Sequence, residues 1–316
     1  MTFAAIGFDD WRARVEKDGT TLAALASAGL EGITVEALYD RGPSVPLVLP
    51  ARDGLTSVVE IEPPHDRLCD AAAWHDAGAT AVDEVAIALA GVLGALGDGC
   101  TRVVAKVALG GDLPLELAKL RALRGLVHAC TVQLGTDATV SIVARSGRRI
   151  RSRLDVDTNL VRATYELFAA VCAGVDAVLV EPHDRATSAS ADSQRWANNL
   201  ALLMHHECGL ADVDDPFAGS WAIESLTRTL ADAAWARVQS FMARGGLAAV
   251  IADGSLTRDV AAAAERRVAA VADGTQPIVG VSKFPPPNRP PVIPIRVVPD
   301  GVAAIDLCAP YEGGAR

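Results

Sequence analysis

Short apolar, β-branched runs alternate along the chain with longer stretches whose apolar residues recur at helical spacing. SVVEIE at 57–62 reads as a strand, and the alanine-rich stretch from Arg67 to Leu96 that follows it reads as helix. The pattern repeats: TRVVAKVAL at 101–109 precedes a helical 113–133, ATVSIVAR at 138–145 precedes 156–173, and DAVLVEP at 176–182 precedes 190–207. Four β/α units in succession predict parallel strands buried on both faces and joined by right-handed crossovers. Two weaker strand candidates, ITVEALY at 33–39 and VPLVLPA at 45–51, have no helix between them.

Beyond these units, DDPFAGS at 214–220 is dense in turn formers and opens a long amphipathic helix from Trp221 to Arg244 that stops at Gly245-Gly246. A further helix is expected over 257–272, then a strand PIVGVSKF at 277–284 that leaves into the proline-rich FPPPNRPP and a loosely packed tail. At the other end, Phe8 to Ala28 predicts a helix with Trp11 and Val15 on one face. The division is an N-terminal arm at 1–41, a β/α domain at 42–284 and a tail at 285–316. An open doubly wound sheet and a barrel of eight units both fit parallel strands. With four units clear, the exposed strand edges call for a covering element or a partner.

Composition narrows the function class. A chain of 316 residues at 50% hydrophobic content has ample material for a core, and its net charge of −10 argues against a nucleic-acid footprint. Neither a signal peptide nor a bilayer-spanning apolar run is evident, which predicts a soluble, unexported, cytoplasmic protein. Cys69, Cys100, Cys130, Cys172, Cys208 and Cys308 lack metal-ligand spacing and read as reduced core residues. His205, His206 and Glu207 are adjacent on one helix, about a hundred degrees apart, and imply no metal. RSGRRIRSR at 145–153 is the local exception to the acidic balance. Arg145, Arg148, Arg149, Arg151 and Arg153 are either a solvated loop or an anion site after a strand end.

Residues 214–246 resemble the D-P-x-G-G-S-(aromatic)-x-x-E-x-L-T signature and following helix of the methylmalonyl-CoA mutase family. Further segments match that family in the same order: WHDAGATAVDE at 74–84, LAKLRALRGL at 117–126, ANNLALLMHHECGL at 197–210 and IVGVSKF at 278–284. AVLVEPHD at 177–184, with DDW at 9–11 and EGITVEALYDR at 31–41, is similar to the small (beta) subunit branch. The resemblance implies a partial TIM-type (β/α) barrel with an N-terminal helical arm, acting as an accessory subunit of an acyl-CoA carbon-skeleton isomerase. It implies a catalytic large chain or a separate cobalamin-binding chain as partner. Two parts of the family pattern are missing: the early barrel between Arg41 and His75, and the cobalamin domain with its D-x-H-x-x-G loop. The H-x-x-G at His75–Gly78 has Ala73 in place of the aspartate. No cofactor is therefore expected on this chain alone, with adenosylcobalamin reached through a partner.

His75 matches the family's active-site histidine, which implies a catalytic role toward a thioester carbonyl; a buried histidine satisfied by backbone is the alternative. Trp74 beside it is expected to pack. Substrate-binding candidates are Arg145, Arg148, Arg149, Arg151 and His183, the last at a strand end beside Asp184. Ser152, Asp155, Asn159 and Arg162 follow the family's T-x-x-D-P-x-x-N-x-x-R pattern, where helix capping is the simpler role. Asp214, Asp215, Gly219 and Ser220 read the same way. Two other functions stay open: a cobalamin-independent acyl-CoA enzyme using His75, and a half barrel that self-associates as a scaffold.

Overall fold

The computed structural model describes residues 7–43, 45, 47–51, 57–58, 62–187, 190–210, 212–287 and 304–312. The N-terminal helix is interrupted. α1 (Phe8–Lys17) ends at Asp18-Gly19, with Gly19 at φ +87°, and α2 (Leu22–Leu25) follows. Trp11 and Val15 are only half-buried, and Trp11 packs on Phe8 at 5.8 Å. β1 (Ser27–Ala28) then pairs antiparallel with β2 (Thr34–Val35) in a sheet of its own. The 33–39 run thus contributes two strand residues and none to the main sheet, because the turn at Gly32, φ +87°, folds it back on its neighbour. Of the 45–51 run, Ser44 beside it and Pro46 within it lie outside the described residues, and 47–51 form no strand. Leu47 instead covers Gly125, where a Cβ would stand 2.4 Å from its Cδ2.

The main sheet holds β3 (Ser57–Val58), β4 (Arg67–Asp70), β5 (Arg102–Leu109), β6 (Thr139–Ser146) and β7 (Ala177–Leu179). Its order is β3-β7-β6-β5-β4, and every neighbouring pair is parallel. Val59, Glu60 and Ile61 of the first expected strand lie outside the described residues. The stretch 67–96 is not one helix. RLCD pairs with Val103–Lys106, then α3 (Ala72–Asp76) and α4 (Ala81–Gly97) are separated at Gly78. Gly78 sits at φ +111°, and a Cβ there would lie 2.6 Å from that of Ala264. Alanine at helical spacing hid a strand whose sole local signal was four residues long.

Alternation along the strands separates two faces. Cys69, Val103, Ala105, Val107, Ile142, Ala144 and Val178 join the main core with residues of α4, α5 (Leu113–Leu134) and α6 (Val156–Ala173). Val104, Val143 and Ala177 form a separate small cluster on the other face with Leu68 and Leu179. Consecutive strands β4 to β7 lie side by side without a reversal of order, so no switch point falls among these four.

α7 (Ala191–His206) follows β7, and α8 (Trp221–Ala243) crosses to pack on α4 and α5. The turn before α8 explains its own sequence. Arg121 of α5, 1% exposed, donates to Asp215 and, at 2.7 Å, to Glu224 Oε1, with Thr227 Oγ1 3.4 Å from its Nε. The D-P…E…T spacing is therefore a clasp for one buried guanidinium, a role beyond capping. α9 (Leu247–Ala252) and α10 (Ser255–Ala272) complete the helical layer. The expected strand at 277–284 is a turn: Val281, Ser282 and Lys283 all donate backbone N–H groups to Ile278 O.

The tail is only partly as expected. Residues 288–303 and 313–316 lie outside the described set, but Ile305 to α11 (Ala309–Glu312) is packed, with Leu307 and Cys308 buried against Val271, Ile278 and Val281. Cys69, Cys172 and Cys308 are buried free thiols, Cys100 and Cys130 are half-buried, and Cys208 is exposed rather than in the core. Among the described residues, no helix is long and apolar enough to cross a membrane.

Replacing Arg121 by Met leaves the carboxylates of Asp215 and Glu224 facing an apolar stem. Urea unfolding is expected to show a loss of about 3 kcal/mol with an unchanged m-value, since both carboxylates keep some solvent. An unchanged midpoint would show that the clasp adds nothing to stability.

Candidate functional site

The C-terminal ends of the parallel strands converge on one rim, where α/β folds place ligands. β4 runs into α3, which carries His75 and Asp76; β5 ends at Gly110-Gly111; β6 ends in the arginine loop; β7 ends at Glu181–Asp184. Short loops and parallel pairing put these four chain ends beside one another.

His75 is 1% exposed. Its Nδ1 lies 3.0 Å from Glu84 Oε2 of α4. Glu84 is fully buried and is ringed by donors: Ala108 N at 2.6 Å and Lys119 Nζ at 3.0 Å. Lys119 also donates to Ala108 O at 2.6 Å and pairs with Glu116 at 2.6 Å. Burial opposes ionisation of Glu84, but Lys119 and His75 outweigh it and hold its pKa at about 2. For His75, burial and then the nearby Arg149 lower the pKa to about 4 against the pull of Glu84. The imidazole is neutral at pH 7. Its Nε2 is buried without a hydrogen-bond partner among the described residues, and faces Gly147, where a Cβ would stand 3.4 Å from it. Gly110 packs on the same ring, a Cβ there falling 3.3 Å from Cε1. Glycine at both positions lets the backbone close over the imidazole.

The arginine loop is neither solvated nor open. Arg145 donates to Asp76 Oδ2 at 2.5 Å and Ala72 O at 3.0 Å, and the backbone N–H of Arg148 donates to Asp76 Oδ1 at 3.0 Å. The Arg148 guanidinium grips Glu181 through Nε and Nη2, at 3.0 and 2.7 Å. Arg149 donates to His75 O at 3.1 Å and Ala79 O at 3.2 Å and reaches Glu31 at 3.4 Å. Arg151 donates to Gly147 O at 2.8 Å and pairs with Glu166. Burial drives the Glu166 carboxyl up to about 8 against the pull of Arg151. Arg153 pairs with Glu312 and Asp306. Each cation of the loop thus faces an acidic side chain of this chain.

Asp155 stands at the N-cap of α6, but its side chain accepts from Thr158 Oγ1 and caps no backbone N–H. Asn159 ties the loop instead, accepting from Ser152 N at 2.9 Å and donating to Ser152 O at 2.7 Å and His183 O at 3.0 Å. Arg162 donates to Asn159 Oδ1 at 2.9 Å. The His183 ring is stacked on Trp196 at 5.5 Å. Asp184 accepts from Ser190 N and Ser193 Oγ. A cavity of about 330 Å³ opens at the rim, lined by Glu62, Lys106, Arg145, Arg148, Glu181 and Arg185 among others. Lys106 there lies between Glu62 and Asp70, at 2.8 and 2.6 Å. No group of three metal-ligating side chains occurs among the described residues.

The residues that organise the site, Glu31, Asp76, Glu84, Lys119, Glu181 and Arg267, were not singled out in the sequence. All but Arg267 lie inside the motif segments, which is the available signal. Glu31 accepts from Arg267 at 2.7 and 2.9 Å and from Ala81 N at 2.9 Å. Its carboxyl is held well below the usual range: burial opposes ionisation, but Arg267 and Arg149 prevail.

A parallel β/α sheet with a polar rim at its strand ends defines an α/β protein. The chain belongs to the methylmalonyl-CoA mutase family, whose model, described as Methylmalonyl-CoA mutase, matches residues 69–304. It is 34% identical over 233 residues to a methylmalonyl-CoA mutase of Rhizobium meliloti, covering 69% of this chain and 33% of that protein. It is 32% identical over 260 residues to a probable methylmalonyl-CoA mutase small subunit of Mycobacterium tuberculosis, covering 75% and 42%. With the methylmalonyl-CoA mutase small subunit of Propionibacterium freudenreichii it shares 30% over 288 residues, covering 86% and 44%. The matched regions thus span a third to less than half of these relatives' lengths.

His75 predicts a pH dependence. It takes a proton near pH 6.5 in the unfolded chain and near 4 in the folded one, so its contribution is full above 6.5 and is lost as pH falls through that window. Glu166, raised from 4.5 to about 8, acts in the opposite sense, so the readout is the difference between wild type and His75→Asn. Between pH 6.5 and 4.5, wild type should lose stability relative to the variant by up to about tenfold in the folding equilibrium per pH unit. Parallel profiles would show that His75 titrates normally.

Proposed function

We propose that this chain is an accessory subunit of a methylmalonyl-CoA mutase-like, acyl-CoA carbon-skeleton isomerase complex, supporting a partner chain that carries adenosylcobalamin. The observation that carries this reading is the sealed His75. Its Nδ1 is committed to Glu84 and its Nε2 is walled off by the Gly147 backbone, so neither nitrogen meets a substrate in this conformation. The same geometry leaves His75 unfit as a cobalt ligand, and the described residues offer no step through cobalamin. The small-subunit names of two of the relatives described above agree with a supporting role.

In this proposal the five strands are an arc of a TIM-type barrel. Consecutive neighbours run side by side, and the first strand of the sheet lies beside the last, which is how a barrel is ordered. The arm at 1–41, the shortened barrel at 42–284 and the tail at 285–316 are its parts, working in the cytoplasm. Association with a catalytic large chain, or with a separate cobalamin-binding chain, would cover the open edge of the arc.

A second reading is favoured by the rim cavity: an acyl-CoA ligand entering beside Arg145 and Arg148, with Arg149, Arg151 and His183 supporting the walls and His75 as the catalytic group. Binding there would have to displace carboxylates such as Glu181 from their arginines.

Co-expression with a methylmalonyl-CoA mutase large chain is expected to give a complex of fixed stoichiometry with higher isomerase activity than the large chain alone. A protein that stays monomeric and leaves that activity unchanged sinks the subunit reading. Saturable calorimetric binding of a CoA ester by the isolated chain, lost in Arg148→Ala, would favour the second reading instead.

A further inference from the structure

The buried histidine has a defined proton arrangement, and its consequence concerns what it can bind. Glu84 is ionised and accepts only; its Oε1 takes the Ala108 N–H and its Oε2 takes Lys119 Nζ, 3.0 Å away. The third partner, His75 Nδ1 at 3.0 Å from Oε2, must therefore be a donor. Lys119 cannot swing away, since Glu116 and Ala108 O hold its other donors. The groups facing the ring come from four elements: Glu84 on α4, Lys119 and Glu116 on α5, Arg149 in the β6–α6 loop, and beyond it Glu31 of the arm. Among the described residues, no second carboxylate reaches Nε2 to stabilise an imidazolium.

We propose that Glu84, braced by Lys119, is a positioning residue that locks His75 as the Nδ1–H tautomer, so that its Nε2, closed off in this conformation, is a bare acceptor whose fitting partner is an N–H or O–H group. A carbonyl oxygen, which needs a donor, is then the wrong partner for this nitrogen unless the ring is first protonated, which burial opposes. The inference rests on the geometry around His75 and holds whether or not a partner chain binds, so it stands or falls separately from the subunit reading.

The test is long-range ¹H–¹⁵N correlation NMR of the uniformly ¹⁵N-labelled chain, with His75→Asn to assign the ring. Wild type at neutral pH is expected to show a protonated Nδ1 and an unprotonated Nε2. In Glu84→Gln, with its fold checked by the backbone amide spectrum, an Nε2–H population should appear, because the amide can donate to Nδ1 as well as accept from it. An Nε2–H signal in wild type would overturn the proposal by itself, even where the variant fails to fold. A folded Glu84→Gln that keeps Nδ1 fully protonated would remove Glu84 from the role.

Discussion

Buried guanidinium groups tolerate no unpaired state, and the clasp of Glu31 on Arg267 and Arg149 is where that constraint shapes this molecule. Glu31 lies in the arm, Arg267 on α10 and Arg149 in the loop after β6, so one carboxylate joins segments from both ends of the chain to the strand rim. Arg267 also donates to the carbonyls of Gly78 and Ala79, and Arg149 to those of His75 and Ala79. The turn after α3 is thereby held by two cations at once. His75 inherits its position from this arrangement.

The same rule recurs outward from the clasp. Arg145 with Asp76, Arg151 with Glu166, Arg153 with Glu312, and Arg121 with Asp215 and Glu224 each pair a cation on one element with an acid on another. Such pairs contribute less to net stability than to uniqueness of packing, because each charge left alone would be costly while the pair roughly offsets its own desolvation. The functional consequence is a rim whose cations already face acidic side chains of this chain. A polyanionic ligand gains little there without rearrangement, whereas a supporting role asks only that the rim be rigid. The carboxyl-terminal residues 304–312 add to that rigidity: Ile305 N donates to Asp76 O and Leu307 N to Arg149 O, at 2.8 and 3.0 Å.

Much of the fold was legible because its signals are local. RVVAKVAL and TVSIVARS are apolar over a full strand, and each is followed by a helix long enough to show its period. Helix α8 announced itself by the turn before it and the glycines after it. The strand RLCD did not, since four residues beside an alanine-rich helix carry no period of their own. PIVGVSKF is β-branched and apolar yet forms a turn, because its amides are satisfied by Ile278 O rather than by a neighbouring strand. In the candidate site, His75 and the arginines stood out by residue type and motif. Their partners did not, because Glu31 and Arg267 are distant in sequence and Glu84, though in the same segment as His75, is an ordinary acid on a helix until the fold turns it onto the ring.

By itself, then, the sequence determined the alternation of parallel strands and helices, the family and the residues with the chemistry to matter, since periodicity, turn residues and motif order are properties of neighbours along the chain. Only the tertiary structure decided what those residues can do. Whether an arginine is free for a ligand or neutralised by a carboxylate, and which nitrogen of His75 carries the proton, depends on groups brought within hydrogen-bond distance from far along the chain, as Arg149 meets Glu31 and Lys119 meets Glu84.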